Sequence, residues 1–143
     1  MINSVTLWRI NPSRLSPPAK GKRKIRGGPL IDLAALQEAI RARVVTENSV
    51  VVVNRSCDDD LDKLQWTEQH ILDCLLCATP GDFKGAEWCE TTWAGQLACD
   101  AYGIPYDELG RRRSPGALEF YLKFSVDEGG ALCVQLVRAH LSR

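Results

Sequence analysis

The chain has 143 residues, 45% hydrophobic and 25% charged, enough for one domain with a real core and too few for two ordinary ones. No apolar run approaches the ~20 residues of a membrane-spanning helix, and Met1-Ile2-Asn3 leads into no signal-like apolar segment. The expectation is a cytoplasmic protein without a membrane partner.

The net charge of zero hides a division. Seven Lys/Arg and no Asp or Glu precede Pro29, leaving 11 basic against all 18 acidic residues, net −7, for the rest. A basic arm thus precedes an acidic body. Such an arm either follows nucleic-acid phosphates or stays a solvated tail folded against its own acidic body.

Residues 11 to 29, "NPSRLSPPAKGKRKIRGGP", hold too little apolar surface to order themselves. The expected organisation is a flexible arm over 1–29 and a single domain over 30–143. Leu30, Leu33, Ala34, Leu36, Ile40 and Val44 fall at helical spacing, with Asp32 early and Arg41 and Arg43 late, predicting an amphipathic helix over 31–44. "SVVVVN" (49–54) is a β-branched run and predicts a buried strand. "RSCDDDLDK" predicts a turn, with Arg55 paired to Asp58, Asp59 and Asp60. Thr67-Glu68 opens a helix over 67–78 that Pro80-Gly81 stops. "ETTWAGQLACDAY" (90–102) places Trp93, Leu97 and Ala101 on one side of a third helix, and residues 103–117 read as a loop carrying Arg111-Arg112-Arg113.

Six cysteines without a secretory signal are expected to be free thiols. His70, Cys74 and Cys77, with Cys89 as a fourth ligand, have a zinc-like spacing. The second Cys-x-x-Cys is missing, and Ile71, Leu72, Leu75 and Leu76 surround them. Buried thiols acting as small hydrophobes fit better, so neither a metal nor a cofactor is expected.

In "ALEFYLKFSV" (117–126), Phe120, Leu122, Phe124 and Val126 alternate with Tyr121, Lys123 and Ser125, the pattern of a half-buried strand. Asp127 to Gly130 form a hairpin turn, and "ALCVQLVRAH" returns as the partner strand. A bulge at the glycines puts Leu132, Val134 and Leu136 on the core face and Gln135 beside Tyr121 and Lys123. Arg138 and His140 then lie near Phe120 and Tyr121. This second face joins cations to a phenol and an imidazole with no carboxylate metal cluster, a set suited to cleaving RNA through its own 2′-OH. Tyr and Lys shown to water also serve as plain edge protection.

The order of elements from about Leu33 onward resembles the MqsR family of bacterial mRNA-interferase toxins, relatives of the RelE group. Asn54-Arg55-Ser56-Cys57 stands where that family has a Thr-Arg-Ser-Ala-like motif after its first strand. Asp82-Phe83-Lys84 matches its Asp-Phe-x-Lys element with the lysine one place early. Asp100-Ala101-Tyr102 matches the end of its Trp-Gln-Asp-x-Tyr, and Tyr121-Leu122-Lys123 its Tyr-Leu-Lys strand. Arg138 and His140 match its basic or His-bearing tail. The resemblance implies a compact α+β domain, an antiparallel sheet with helices packed on it, with a strand where spacing reads a helix at 90–102. It implies metal-independent cleavage of mRNA, a cognate antitoxin, and the ribosome as a partner left open. On that basis Tyr121 or His140 moves the proton, and Lys84, Lys123 and Arg138 stabilise the phosphate. Arg111, Arg112 and Arg113 hold the RNA backbone, and Tyr102 stacks on a base. The early lysine and the absent Trp-Gln pair point to an alternative, a non-catalytic inhibitor on the same scaffold that blocks a nucleic-acid enzyme.

Overall fold

The computed structural model describes residues 7–17 and 23–140, except the side chains of Ser13 and His140. Among the described residues three α-helices, α1 (Leu33–Arg41), α2 (Arg55–Leu64) and α3 (Glu68–Leu76), accompany seven strands. These are β1 (Lys24–Ile25), β2 (Val50–Val52), β3 (Phe83–Glu90), β4 (Gln96–Asp107), β5 (Arg112–Arg113), β6 (Glu119–Val126) and β7 (Leu132–His140). The sheet order is β1-β3-β4-β6-β7-β2, with β5 paired to β4. Every pairing is antiparallel except β2 with β7. The fold class is therefore α+β. Among the described residues no helix is long and apolar enough to cross a membrane.

One face of the sheet carries the core. Phe120, Leu122 and Phe124 of β6 and Tyr102, Ile104 and Tyr106 of β4 are buried with Leu36 and Ile40 of α1, Cys57 and Leu61 of α2, and Ile71, Leu72 and Leu75 of α3. Two of the three helices expected from helical spacing form, α1 and α3. Asp32 caps α1 by accepting from the Ala35 N–H at 3.0 Å. Thr67 opens α3, where its N–H donates to His70 Nδ1 at 3.0 Å. Each satisfies a helix-end donor or fixes the entry turn.

Four expectations are corrected. Residues 90–102 form no helix: they close β3, turn at 91–95 and open β4. Ala98 to Ile104 are buried at every position, so β4 shows no alternation, and pairing on both sides overrides the helical spacing. Residues 103–117 are not a single loop, because β4 runs to Asp107 and the chain turns back into β5. Residues 55–64 are α2 rather than a turn. Only Cys57 and Leu61, one helical turn apart, are buried there. The strand at 49–54 shortens to β2 at the sheet edge, with Val51 44% exposed.

The basic arm is also partly built into the body. Leu7 is buried, Trp8 bridges Ile31, and Asp32 N donates to the Leu7 carbonyl at 2.6 Å. Lys24 and Ile25 pair with Glu87 and Ala86 of β3. The buried Asp100 carboxylate accepts from the N–H groups of Leu30 and Ile31 at 2.8–3.0 Å and holds the end of this segment. Ile25, Ile10, Leu15 and Trp8 pack around Leu30, Ala86 and Ala98. A second small apolar cluster thus supplies the burial that the composition does not advertise. The remaining arm residues, 1–6 and 18–22, lie outside the described residues.

The sheet is strongly coiled. The tip of the β3–β4 hairpin bonds to the opposite edge: Trp93 N to the Val53 carbonyl at 3.1 Å, Thr92 Oγ1 to Asn54 Oδ1 at 2.8 Å and Arg55 N to Thr92 Oγ1 at 3.0 Å. Three strand spacings, about 14 Å, separate β4 from β2 in a flat sheet. Only a sheet that twists and curls brings them together. At that end even Ser125, which alternation turns away from the helices, is buried. Toward Tyr121 the same face opens into clefts.

Candidate functional site

On β6 the residues facing away from the helices are Glu119, Tyr121 and Lys123. Tyr121 lies opposite Gly103 of β4 and Arg138 of β7, and Lys123 opposite Ala101 and Leu136. Two adjoining clefts share Tyr121 as a wall. The larger, about 580 Å³, is lined by Lys24, Arg26, Lys84, Glu87 and the small residues Gly85, Ala86 and Ala101, with Ile25. The smaller, about 440 Å³, is lined by Glu119, Lys123, Leu136 and Arg138.

Four residues expected at the site meet here: Lys84, Tyr121, Lys123 and Arg138. The early position of Lys84 does not misdirect it. The β3–β4 register shifts between Phe83 and Gly85, and Gly85 adopts φ 137°, so the irregularity turns Lys84 into the larger cleft. Gly103 leaves room for it: a Cβ there would sit 2.7 Å from Lys84 Cε and 2.2 Å from Glu119 Oε1. Arg138 is 61% exposed and lies 3.8 Å from Asp60 on α2. The expected partner of Asp60, Arg55, instead lies over the Trp93 ring at 5.7 Å.

Gln135 does not join the face. A second irregularity between Lys123 and Phe124 moves the register of β7. Leu136 therefore lines the cleft beside Lys123, while Val137 enters the core. His140 ends β7 opposite Glu119, and its side chain lies outside the described residues.

The expected RNA-binding residues separate from this site. Tyr102 is 1% exposed, stacked on Phe124 and edge-on to Phe83, so it stacks in the core and meets no base. Burial first, then the Asp100 and Asp82 charges, push its phenol well above the ordinary range. Arg113 is a structural clamp. Its guanidinium donates to Asp82 (3.0 Å for Nη2 to Oδ1) and to the Cys77 carbonyl at 3.2 Å, closing the end of α3. Burial alone would raise the Asp82 carboxyl, but the Arg113 and Thr79 hydrogen bonds bring it below its usual value. Arg111 and Arg112 are exposed on the β4–β5 hairpin and line neither cleft.

The face is not purely cationic. Lys123 Nζ is held by Glu87, and Lys84 Nζ lies 3.9 Å from Glu119. Burial disfavours the Lys123 ammonium, yet the Glu87 hydrogen bond and charge outweigh it and raise its pKa. Lys123 is therefore a fixed positive charge, 6.0 Å over the Tyr121 ring, and not a base. Glu87, Glu119, Lys24 and Arg26 are the site residues that sequence reasoning missed. Alternation would have put Glu119 beside Tyr121. Nothing local marks the other three, because the β1–β3 pairing assembles them.

The six cysteines are unpaired and five are buried. Among the described residues no group of three or more His, Cys, Asp or Glu is placed to hold a metal ion. No family model matches the chain, and no curated protein or solved structure matches it either.

Proposed function

We propose that the chain is a metal-independent endoribonuclease of the RelE-like mRNA-interferase kind, cleaving mRNA through 2′-OH attack and neutralised by a cognate antitoxin. One observation carries this reading: Tyr121 stands between two clefts into which Lys84, Lys123 and Arg138 converge from three strands. The reaction forms a bond from the ribose 2′-oxygen to phosphorus and breaks the bond to the 5′-oxygen, leaving a cyclic phosphate and a 5′-hydroxyl. The Glu119 carboxylate accepts the 2′-OH proton, and the Tyr121 phenol gives its proton to the leaving 5′-oxygen. Lys123, held as an ammonium, and Lys84 and Arg138 stabilise the charge that builds on the phosphorane.

The reading is tested by incubating the protein with a long mRNA and excess EDTA, beside a Tyr121→Phe/Lys123→Ala double variant and Glu119→Gln, and mapping the 5′ ends. Wild-type cleavage leaving 5′-hydroxyl ends is expected, with each variant at least about 100-fold slower. The carboxylates on Lys84 and Lys123 favour one second reading, a module that binds nucleic acid without cutting it. Tight RNA binding with no cleavage, with or without ribosomes, would establish that instead.

A further inference from the structure

Among the site's cations, Lys84 and Lys123 are each partnered by a glutamate, whereas Lys24 and Arg26 make no ion pair with any described residue. Both are exposed and alternate about Ile25, so they project to one side of β1 while Ile25 joins the cluster around Leu30 and Ala86. Their backbone is fixed. Lys24 and Ile25 pair with Glu87 and Ala86, and Arg23 exchanges bonds with Trp88, its Nε donating at 3.0 Å. Arg9 donates to the carbonyls of Gly27 and Pro29 and pins the turn that follows. The floor between this strand and Tyr121 is Gly85, Ala86 and Ala101, nearly free of side chains. β1 and β6 are three strand spacings apart along the sheet, at most about 14 Å. A floor nearly bare of side chains, an aromatic wall on one side and, on the other, two cations without an ion-pair partner among the described residues suit single-stranded nucleic acid, with a base against the phenol and phosphates at the cations.

We infer that β1 is a substrate-binding wall: Lys24 and Arg26 take two backbone phosphates of single-stranded RNA on one side of the cut, in the cleft shared with Lys84 and Tyr121. This rests on the proposed ribonuclease reading but concerns binding, so the two fail separately. The N-terminal segment would then contribute to affinity, while the chemistry stays on β3, β6 and β7.

The probe is a fluorescein-labelled 2′-O-methyl RNA decamer, which lacks the attacking hydroxyl, titrated by anisotropy between 0.05 and 0.3 M salt. Lys24→Ala/Arg26→Ala is expected to flatten the slope of log K against log salt by about 1.4 and to weaken binding about 25-fold at 0.1 M salt, at ~0.7 per phosphate. Arg111→Ala/Arg112→Ala, which removes the same charge outside the clefts, is expected to leave the slope unchanged. With cleavable RNA the β1 variant should raise KM and spare kcat. Wild-type binding that the β1 variant retains at the same slope would overturn this inference alone, leaving Lys24 and Arg26 as guards of a sheet edge. Equal losses in both double variants would overturn it as well, since bulk charge would then explain binding. A wild type that neither binds nor cleaves RNA would overturn the ribonuclease reading and this inference with it.

Discussion

Gly103→Ala separates the site from the fold. Gly103 lies in β4 opposite Tyr121 and does not adopt a positive φ, so alanine meets no backbone strain. Its Cβ would approach Glu119 Oε1 to 2.2 Å, Lys84 Cε to 2.7 Å and Glu119 Cδ to 2.9 Å. All three atoms are near the ends of flexible side chains, which can swing away. The lost Lys84–Glu119 pair, 3.9 Å apart and partly exposed, is worth about 0.2–1 kcal/mol. Replacing glycine stabilises by about 0.4–1 kcal/mol through the unfolded chain. These offset each other, so Tm should shift by less than about 4 °C. The displaced Lys84 ammonium no longer faces the phosphate at Tyr121 and the displaced Glu119 carboxylate no longer faces the 2′-OH, so kcat should fall about 10- to 100-fold or more with KM for RNA nearly unchanged. Melting curves and steady-state cleavage of one RNA check both halves. Full activity in a folded variant would remove Lys84 from the chemistry. A Tm loss above about 8 °C would show that the strand cannot accommodate the methyl group.

Tyr102→Ala should behave in the opposite way: the buried ring leaves a cavity, stability falls by about 3–5 kcal/mol in urea unfolding, and at low temperature the folded variant keeps its RNA affinity. Reduced affinity without lost stability would restore Tyr102 as a base-stacking residue. Burial raises the Asp100 carboxyl to about 6 from 3.8, against the opposing Leu30 and Ile31 hydrogen bonds. An acid whose folded pKa is raised favours the protonated fold, so its contribution is greatest below pH ~4 and declines as pH rises through about 6, by roughly 3 kcal/mol. Asp100→Asn should flatten that part of the stability–pH curve, and an unchanged slope would show that the three N–H bonds, not desolvation, govern this carboxylate.

Local pattern was enough for α1, α3 and the β6–β7 hairpin, because each buries one face and leaves a period to read. The Tyr121–Lys123 pair followed from the same alternation. Elements buried on both faces or almost nowhere left no such trace. β4 is covered throughout its middle, so its residues imitate a helix. α2 hides only Cys57 and Leu61 among acidic residues. The basic arm looks unable to fold by itself, and that is correct locally: its partners, β3 and Asp100, lie some 60 to 70 residues away in the chain.

The chain's own order of residues determined two amphipathic helices and a β-hairpin, one strand of which shows a phenol and an ammonium to the side away from the core. Tertiary structure decided what surrounds them. A bulge at Gly85 turned Lys84 inward, another at Phe124 replaced Gln135 with Leu136, and β1 brought Lys24 and Arg26 to the cleft. Bulges and edge pairings depend on how distant strands meet, an energy shared between segments that no single stretch of sequence contains.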